Sequence, residues 1–242
     1  MEKTELEKRV EDLIGMSARK SVPAATHFLS PAEQYEIRKY GLPMTGGGEG
    51  CERKIAVIVP EWMDGTDIPV GDYISAVRIQ SYFGEPAHRD YLGAILGLGI
   101  KREWIGDIRV FGRNAYVFCL NSVKSALLEE LDRVGPNKVT CTEVSIDEVP
   151  AAEVKSREIR FTVKSMRLDA VVGCMFGLSR AKAADAIKAG FVSHNYSVCQ
   201  KCDEPVDEND VVSLKGKGKG RITGIGGKSR KERTIVSAEV LI

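Results

Sequence analysis

The sequence predicts an α+β fold in three segments, and three observations carry that prediction. Residues 1–50 hold helical periodicity with capping signals; residues 51–152 alternate strand and helix patterns; residues 160–242 open with two short helices and continue as short strands joined by turns. At 242 residues with 43% hydrophobic content, the chain is long enough to bury more than one core. No run approaches the roughly 18 consecutive apolar residues of a membrane-spanning helix. The opening MEKTELEKRVEDLIG lacks both the apolar centre of a signal peptide and the acid-poor bias of a transit peptide. Membrane insertion is therefore not expected.

In the helical N-terminal segment, Leu6, Val10, Leu13 and Ile14 fall on one helix face. A second helix follows in HFLSPAEQYEIRKYGLP, where Ser30 caps, Pro31 takes the first helical position and Glu33 completes a capping box; Gly41 and Pro43 end it. The run TGGGEG at 45–50 reads as a flexible joint. The middle segment gives strands at KIAVIVP and SAVRIQSY, a helix at HRDYLGAILGLG, and strands at DIRVFG and AYVFCL. An amphipathic helix with Val123, Leu127, Leu128 and Leu131 on one stripe and a strand at KVTCTEVSI complete it. Helices on one face of a mostly antiparallel sheet, in a ferredoxin-like or RRM-like domain, follow from this order. After the polar joint PAAEVKSRE, Leu168, Val171, Val172 and Met175 recur at i, i+3, i+4 and i+7 in a helix ended by Gly177. Ser179 caps a second helix that closes at Gly190, and FVSHN, YSVCQ, DVVSLKG, GRITGIGG and RTIVSAEVLI read as a small antiparallel sheet.

The formal net charge of +1 hides an asymmetry. From Lys155 onward 17 Lys and Arg face 10 Asp and Glu, a balance of +7, whereas the preceding residues have 18 against 24, a balance of −6. A basic module beside an acidic one predicts a polyanion partner for the C-terminal segment. Arg180 and Lys182 stand in the first turn of the second helix there, where the macrodipole is already positive and each cation costs roughly 0.3–1 kcal/mol. Such a helix end can hold a phosphate. In KGKGKGR, Lys215, Lys217, Lys219 and Arg221 alternate with glycines that leave the backbone open to a close ligand, and KSRKER adds Lys228, Arg230, Lys231 and Arg233.

The stretch MRLDAVVGCMFGLSRAKAADAIKAGFVSHNYSV followed by DENDVVSLKGKG resembles the RNA-binding domain first defined in the fourth protein of the small ribosomal subunit, the S-four domain. The features that carry this are Arg167, Leu168 and Asp169 on the first helix, Ser179 and Arg180 opening the second, the hairpin Gly190 to Asn195, and Asp210 to Gly216. Two positions depart from the pattern: Tyr196 stands where the hairpin usually has Gly, and Asn209 replaces the Gly before Asp210. With HFLSPAEQ, ERKIAVIVPEW, HRDYLGAILGLGIKREWIGDI and RITGIGGKSRKER, the chain resembles nearly end to end the YlmH family of S-four-domain proteins, found in bacteria with relatives in plastids. The resemblance implies a non-enzymatic, monomeric RNA-binding factor without a cofactor. It would contact rRNA or tRNA on the large ribosomal subunit during rescue of stalled translation, in the bacterial cytoplasm or the plastid stroma. The residues expected to contact RNA are Arg167, Ser179, Arg180, Lys182, Lys188, His194, Asn195, Tyr196, Lys215, Lys217, Lys219, Arg221, Lys228 and Arg230. Structured RNA suits a surface with many cations and Tyr196 as its candidate stacker.

Other motifs point elsewhere. Arg167-Leu168-Asp169 also matches the catalytic motif of pseudouridine synthases, which makes an RNA-modifying enzyme using Asp169 the alternative; a local ion pair is the simpler role for that carboxylate. GIGGKS at 224–229 lacks the first glycine of a P-loop, since Ile222 stands there, and it leads into a strand. His88-Arg89-Asp90 resembles a kinase loop, but Ile95 occupies the metal-binding Asn position; Asp90 is expected to cap a helix that Gly93, Gly97 and Gly99 keep thin. Cys199 and Cys202 have half a zinc-site spacing and no second pair, so no metal is expected.

Overall fold

The computed structural model describes residues 3–60, 70–152, 156–229 and 231–241. The chain divides into two compact units, Met1–Ala152 and Glu153–Ile242.

The first unit opens with α1 (Glu5–Lys20), capped by Thr4 and Glu7, followed by β1 (Ala24–Ala25) and α2 (Pro31–Glu36). The Ser30 hydroxyl accepts from the Glu33 amide while the Glu33 carboxylate accepts from the Ser30 amide, as its sequence spacing requires. Two further strands, β2 (Met44–Thr45) and β3 (Ile55–Ile58), complete a three-stranded antiparallel sheet in the order β1-β3-β2. Residues 1–50 therefore share a sheet with KIAVIVP, whose strand is buried along its whole length and belongs here rather than in the main sheet of the unit. Val10, Leu29, Ile37 and Ala56 form the core beneath α1.

TGGGEG is a packed element and not a joint. A Cβ on Gly47 would lie 2.7 Å from the Phe118 ring, and Gly47 has a φ of +97° that disfavours any side chain. Arg109, 7% exposed, clamps this loop from the sheet, donating from Nη1 to the Pro150 carbonyl at 2.7 Å and from Nη2 to the Glu49 carbonyl. The glycines permit a contact distance, and the run looks flexible only when read without its neighbours.

The main sheet is built from β4 (Ile74–Ser81), α3 (His88–Gly97), β5 (Ile105–Phe111), β6 (Asn114–Leu120), α4 (Asn121–Glu130), β7 (Arg133–Val134) and β8 (Asn137–Val144). Its antiparallel order, β5-β6-β4-β8-β7, puts β4 and β6 at the centre, the ferredoxin-like arrangement that the element order predicts. Tyr91 and Ile95 of α3 and Val123 and Leu127 of α4 pack on Val77, Ile79, Ala115 and Val117, so both helices cover one face. Asp90 does not cap α3: Ala87 holds that position, and Asp90 reaches back to its amide at 2.8 Å from the third helical place. A Cβ on Gly93 or Gly97 would meet nothing within 4 Å, so neither is required for close packing; Gly99, at φ +80°, serves the chain reversal after the helix.

The second unit begins with β9 (Ser156–Val163), which starts inside the stretch expected to be a polar joint. It then runs α5 (Leu168–Met175), α6 (Arg180–Lys188), β10 (Val192–His194), β11 (Ser197–Val198), β12 (Val211–Leu214), β13 (Gly218–Lys228) and β14 (Thr234–Leu241). The antiparallel order is β11-β10-β12-β13-β14-β9, with β9 pairing β14 over all eight of its residues. Leu168, Val171, Val172, Met175, Ala183 and Ile187 pack the two helices onto one face, against Val212, Ile222, Val236 and Ala238. Gly220 is part of this contact, since a Cβ there would lie 2.6 Å from Met175 Sδ; its glycine serves the core and not a ligand.

Candidate nucleic-acid interface

The first amides of α5 are taken by a loop: Leu168 N–H donates to the Glu204 carbonyl at 2.9 Å and Asp169 N–H to the Cys202 carbonyl at 3.0 Å. This anchors Asp169, whose side chain is 6% exposed, with its carboxylate turned toward two guanidinium groups. Arg167 donates from Nε at 3.3 Å and from Nη2 at 3.4 Å, and Arg180 donates from Nε at 3.1 Å. Burial works against the charge on Asp169, but the two arginines outweigh it and hold the pKa below the ordinary carboxylate value. The cation at the positive end of α6 thus has an anion within the chain. Ser179 caps that helix, its hydroxyl accepting from the Lys182 amide at 3.3 Å. Arg180 spends its Nε on Asp169 while its side chain stays 60% exposed, so the guanidinium is both oriented and accessible.

Around this pair lies a hollow of about 310 Å³ whose lining includes Lys164, Asp169, Cys174, Arg180 and Arg233. Arg233 is oriented by donating from Nη2 to the Thr162 carbonyl at 2.8 Å. A second hollow of about 360 Å³ also touches Cys174, and its lining includes Arg157, Phe161, Phe176, Gly177 and Lys217. The two adjoin along α5 and the edge strand β9. Arg160 alternates with Ile159 and Phe161 and points to the other face of the sheet, where its Nε donates to Ser237 Oγ at 3.3 Å. Five cations, Arg157, Lys164, Arg180, Lys217 and Arg233, therefore border the channel that the two adjoining hollows make, and Asp169, the buried carboxylate in its lining, is already paired.

The residues expected to contact RNA do not all gather there. Arg180 and Lys217 border the channel, whereas Lys219 and Arg221 alternate with the buried Gly220 and Ile222 and so project from the sheet face opposite the helices. Arg221 pairs in register with Glu239, which pairs with Glu158. Lys182 and Lys188 are exposed on α6, Lys215 lies 5.8 Å from the Phe191 ring, and Lys228 pairs with Glu232 at 3.2 Å. Arg230 lies outside the described residues. His194 and Asn195 hold the hairpin: His194 Nε2 and Asn195 Nδ2 each lie 2.7 Å from Asp210, which also accepts from the Asp207 amide at 2.8 Å. Burial raises the Asp210 pKa, and these bonds reverse that and leave it lowered. Asn195 and Tyr196 take φ of 47° and 67°, the left-handed pair of a type I′ turn, so Tyr196 is accommodated where Gly was expected; Asn209 takes φ 70°.

Residues 73–148 match the family model described as "Putative RNA-binding domain in YlmH". Over 223 residues the chain is 32% identical to the ribosome-associated protein quality control protein P2 of Bacillus subtilis, covering 88% of this chain and 86% of that one. The chain belongs to the YlmH family. A solved YlmH structure, the cell division protein ylmH from Streptococcus pneumoniae, superposes with a TM-score of 0.51 at 20% identity; 61% of this chain and 96% of that one are covered, a likeness of fold.

In this YlmH-family protein, Arg157 and Lys164 are channel residues that the sequence reading did not name: the polar joint PAAEVKSRE covers Arg157 and the start of β9, and the following IRFTVK was not read as a strand. The alternation of Ile159, Phe161 and Val163 with polar residues is the signal that would have found the strand. Cys199 and Cys202 are free thiols, and no group of three His, Cys, Asp or Glu side chains suited to a metal ion occurs among the described residues.

Proposed function

We infer that this YlmH-family protein is a ribosome-associated RNA-binding protein, and that its C-terminal unit grips the phosphates of folded RNA, rRNA or tRNA, on the large subunit during rescue of stalled translation. One observation carries this: Arg157, Lys164, Arg180, Lys217 and Arg233 border the same channel, with Asp169 fixing the Arg180 guanidinium in it. Planar guanidinium groups with spare donors suit phosphate oxygens, and their fixed placement suits the regular backbone track of an A-form helix. The name of the Bacillus subtilis relative supports the ribosomal setting and a cytoplasmic site of action. Binding without catalysis is the reading that fits Asp169, whose oxygens are committed to two arginines instead of standing ready as a nucleophile or base. Crosslinking the protein in cells and sequencing the attached RNA tests the proposal. Enrichment of large-subunit rRNA and tRNA, joined to peptides of the C-terminal unit, is expected. Crosslinks spread over messenger RNA without ribosomal enrichment overturn it.

A further inference from the structure

We propose that a hollow in the first unit, beside the glycine run TGGGEG, binds a free α-amino acid with an apolar side chain, Arg109 taking its carboxylate and an acidic rim its ammonium group. This ligand is distinct from RNA and goes beyond the function inferred above. The hollow measures about 570 Å³, within the roughly 300–1,000 Å³ of small-molecule sites, and lies between residues 45–49 and 146–151 with Arg109 in its wall. Arg109 is a buried cation in contact with no anion. It is 7% exposed, yet the groups around its guanidinium are neutral: the Glu49 and Pro150 carbonyls, the Phe118 ring 5.1 Å away, and Cys51 Sγ at 3.3 Å, a thiol that burial keeps protonated by pushing its pKa up.

The clamp on the loop uses only part of this guanidinium. Arg109 Nε has no hydrogen-bond partner, and among the described residues no carboxylate forms an ion pair with the group, a costly state for a buried charge. Gly48 leaves it uncovered, since a Cβ there would lie 3.4 Å from Nη2 and 3.6 Å from Nη1. A carboxylate is the planar partner that such a fork binds. The rest of the lining fixes what else the ligand carries. Among these described residues Arg109 is the lone cation, whereas Glu49, Asp147 and Glu148 are exposed acids. A bare anion, and a nucleic-acid backbone above all, is repelled by that rim; a zwitterion is not. Glu148 accepts from the Ser145 amide at 3.3 Å, which leaves Glu49 and Asp147 for an ammonium group. Ile146 and Val149, packed against the buried cluster of Phe28, Ile74 and Phe118, give the hollow an apolar wall for the side chain.

Isothermal titration calorimetry of the full chain takes L-leucine as the probe, with leucinamide lacking the carboxylate, N-acetyl-leucine lacking the ammonium group, and acetate as the bare anion. Leucine is expected to bind, and each of the other three to bind at least about tenfold more weakly. Glu49→Gln and Asp147→Asn, at exposed rim positions, are each expected to weaken leucine binding about 2- to 5-fold with an unchanged melting temperature. Arg109→Gln is expected to lose leucine binding; because this residue also clamps the loop, thermal melting checks its fold, and the ligand series and rim variants carry the test if it does not fold. No leucine binding by the parent overturns the proposal, as does leucinamide, N-acetyl-leucine or acetate binding as tightly as leucine. Leucine affinity that neither rim variant changes overturns the assigned site equally.

Discussion

Asp169 and Asp210 are the two carboxylates on which the second unit turns, and each is held charged by neighbours that oppose its burial. Because their folded-state pKa values lie below the ordinary 3.8, both contribute stability that is fully present above about pH 4 and is lost as pH falls through the lowered values. Urea denaturation followed from pH 7 to pH 3 is expected to show a decline beginning near pH 4, shallower in Asp210→Asn because that group no longer titrates. An equally steep decline in the variant would show that Asp210 is not part of the acid response. At neutral pH, Asp210→Ala strips the hairpin of three bonds to His194, Asn195 and the Asp207 amide, and is expected to cost about 2–3 kcal/mol by the same measurement. Arg180→Lys keeps the charge but loses the fork that bonds Asp169 and faces outward at once, so RNA binding should weaken several-fold with little change in melting temperature. Helix caps were legible from spacing alone, Ser179 beside Arg180 and, in the first unit, Ser30 with Glu33. The partner of Arg180 was not, because the eleven positions from Asp169 to Arg180 include a chain reversal that only the packing of α5 on α6 closes.

Among the elements, the glycine run and the edge strand show what a linear pattern hides. Gly47→Ala would drive a methyl group into the Phe118 ring at a φ of +97°, and is expected to destabilise the first unit by about 2–4 kcal/mol in equilibrium unfolding. A flexible joint would tolerate the change within experimental error, so a neutral result would contradict the packed loop. The run was misread because its role depends on Arg109 and Phe118, some sixty and seventy residues further on. The βαββαβ order of the main sheet was readable because each element declares its own period, two for strands and 3.6 for helices. Which face the helices leave open, and that Phe111 and Tyr116 share it, depends on register and could not be read in one dimension. The same alternation separates Lys219 and Arg221 from Arg180, although all three belong to one basic segment.

For the whole molecule, charge and chemistry divide between the two units: an acidic first unit with an aromatic-bearing sheet face, and a basic second unit with a cation-bordered channel. Phosphate contacts release counterions and carry a steep salt dependence. The most direct test of the central claim is the salt dependence of hairpin RNA binding by the full chain. With five phosphate contacts, log K should fall against log salt with a slope near −3.5 to −4.5, at roughly 0.7–0.9 per contact, and Arg157→Ala should make it shallower by roughly one. A slope near zero, or one that Arg157→Ala leaves untouched together with the affinity, would contradict the claim that this channel holds RNA.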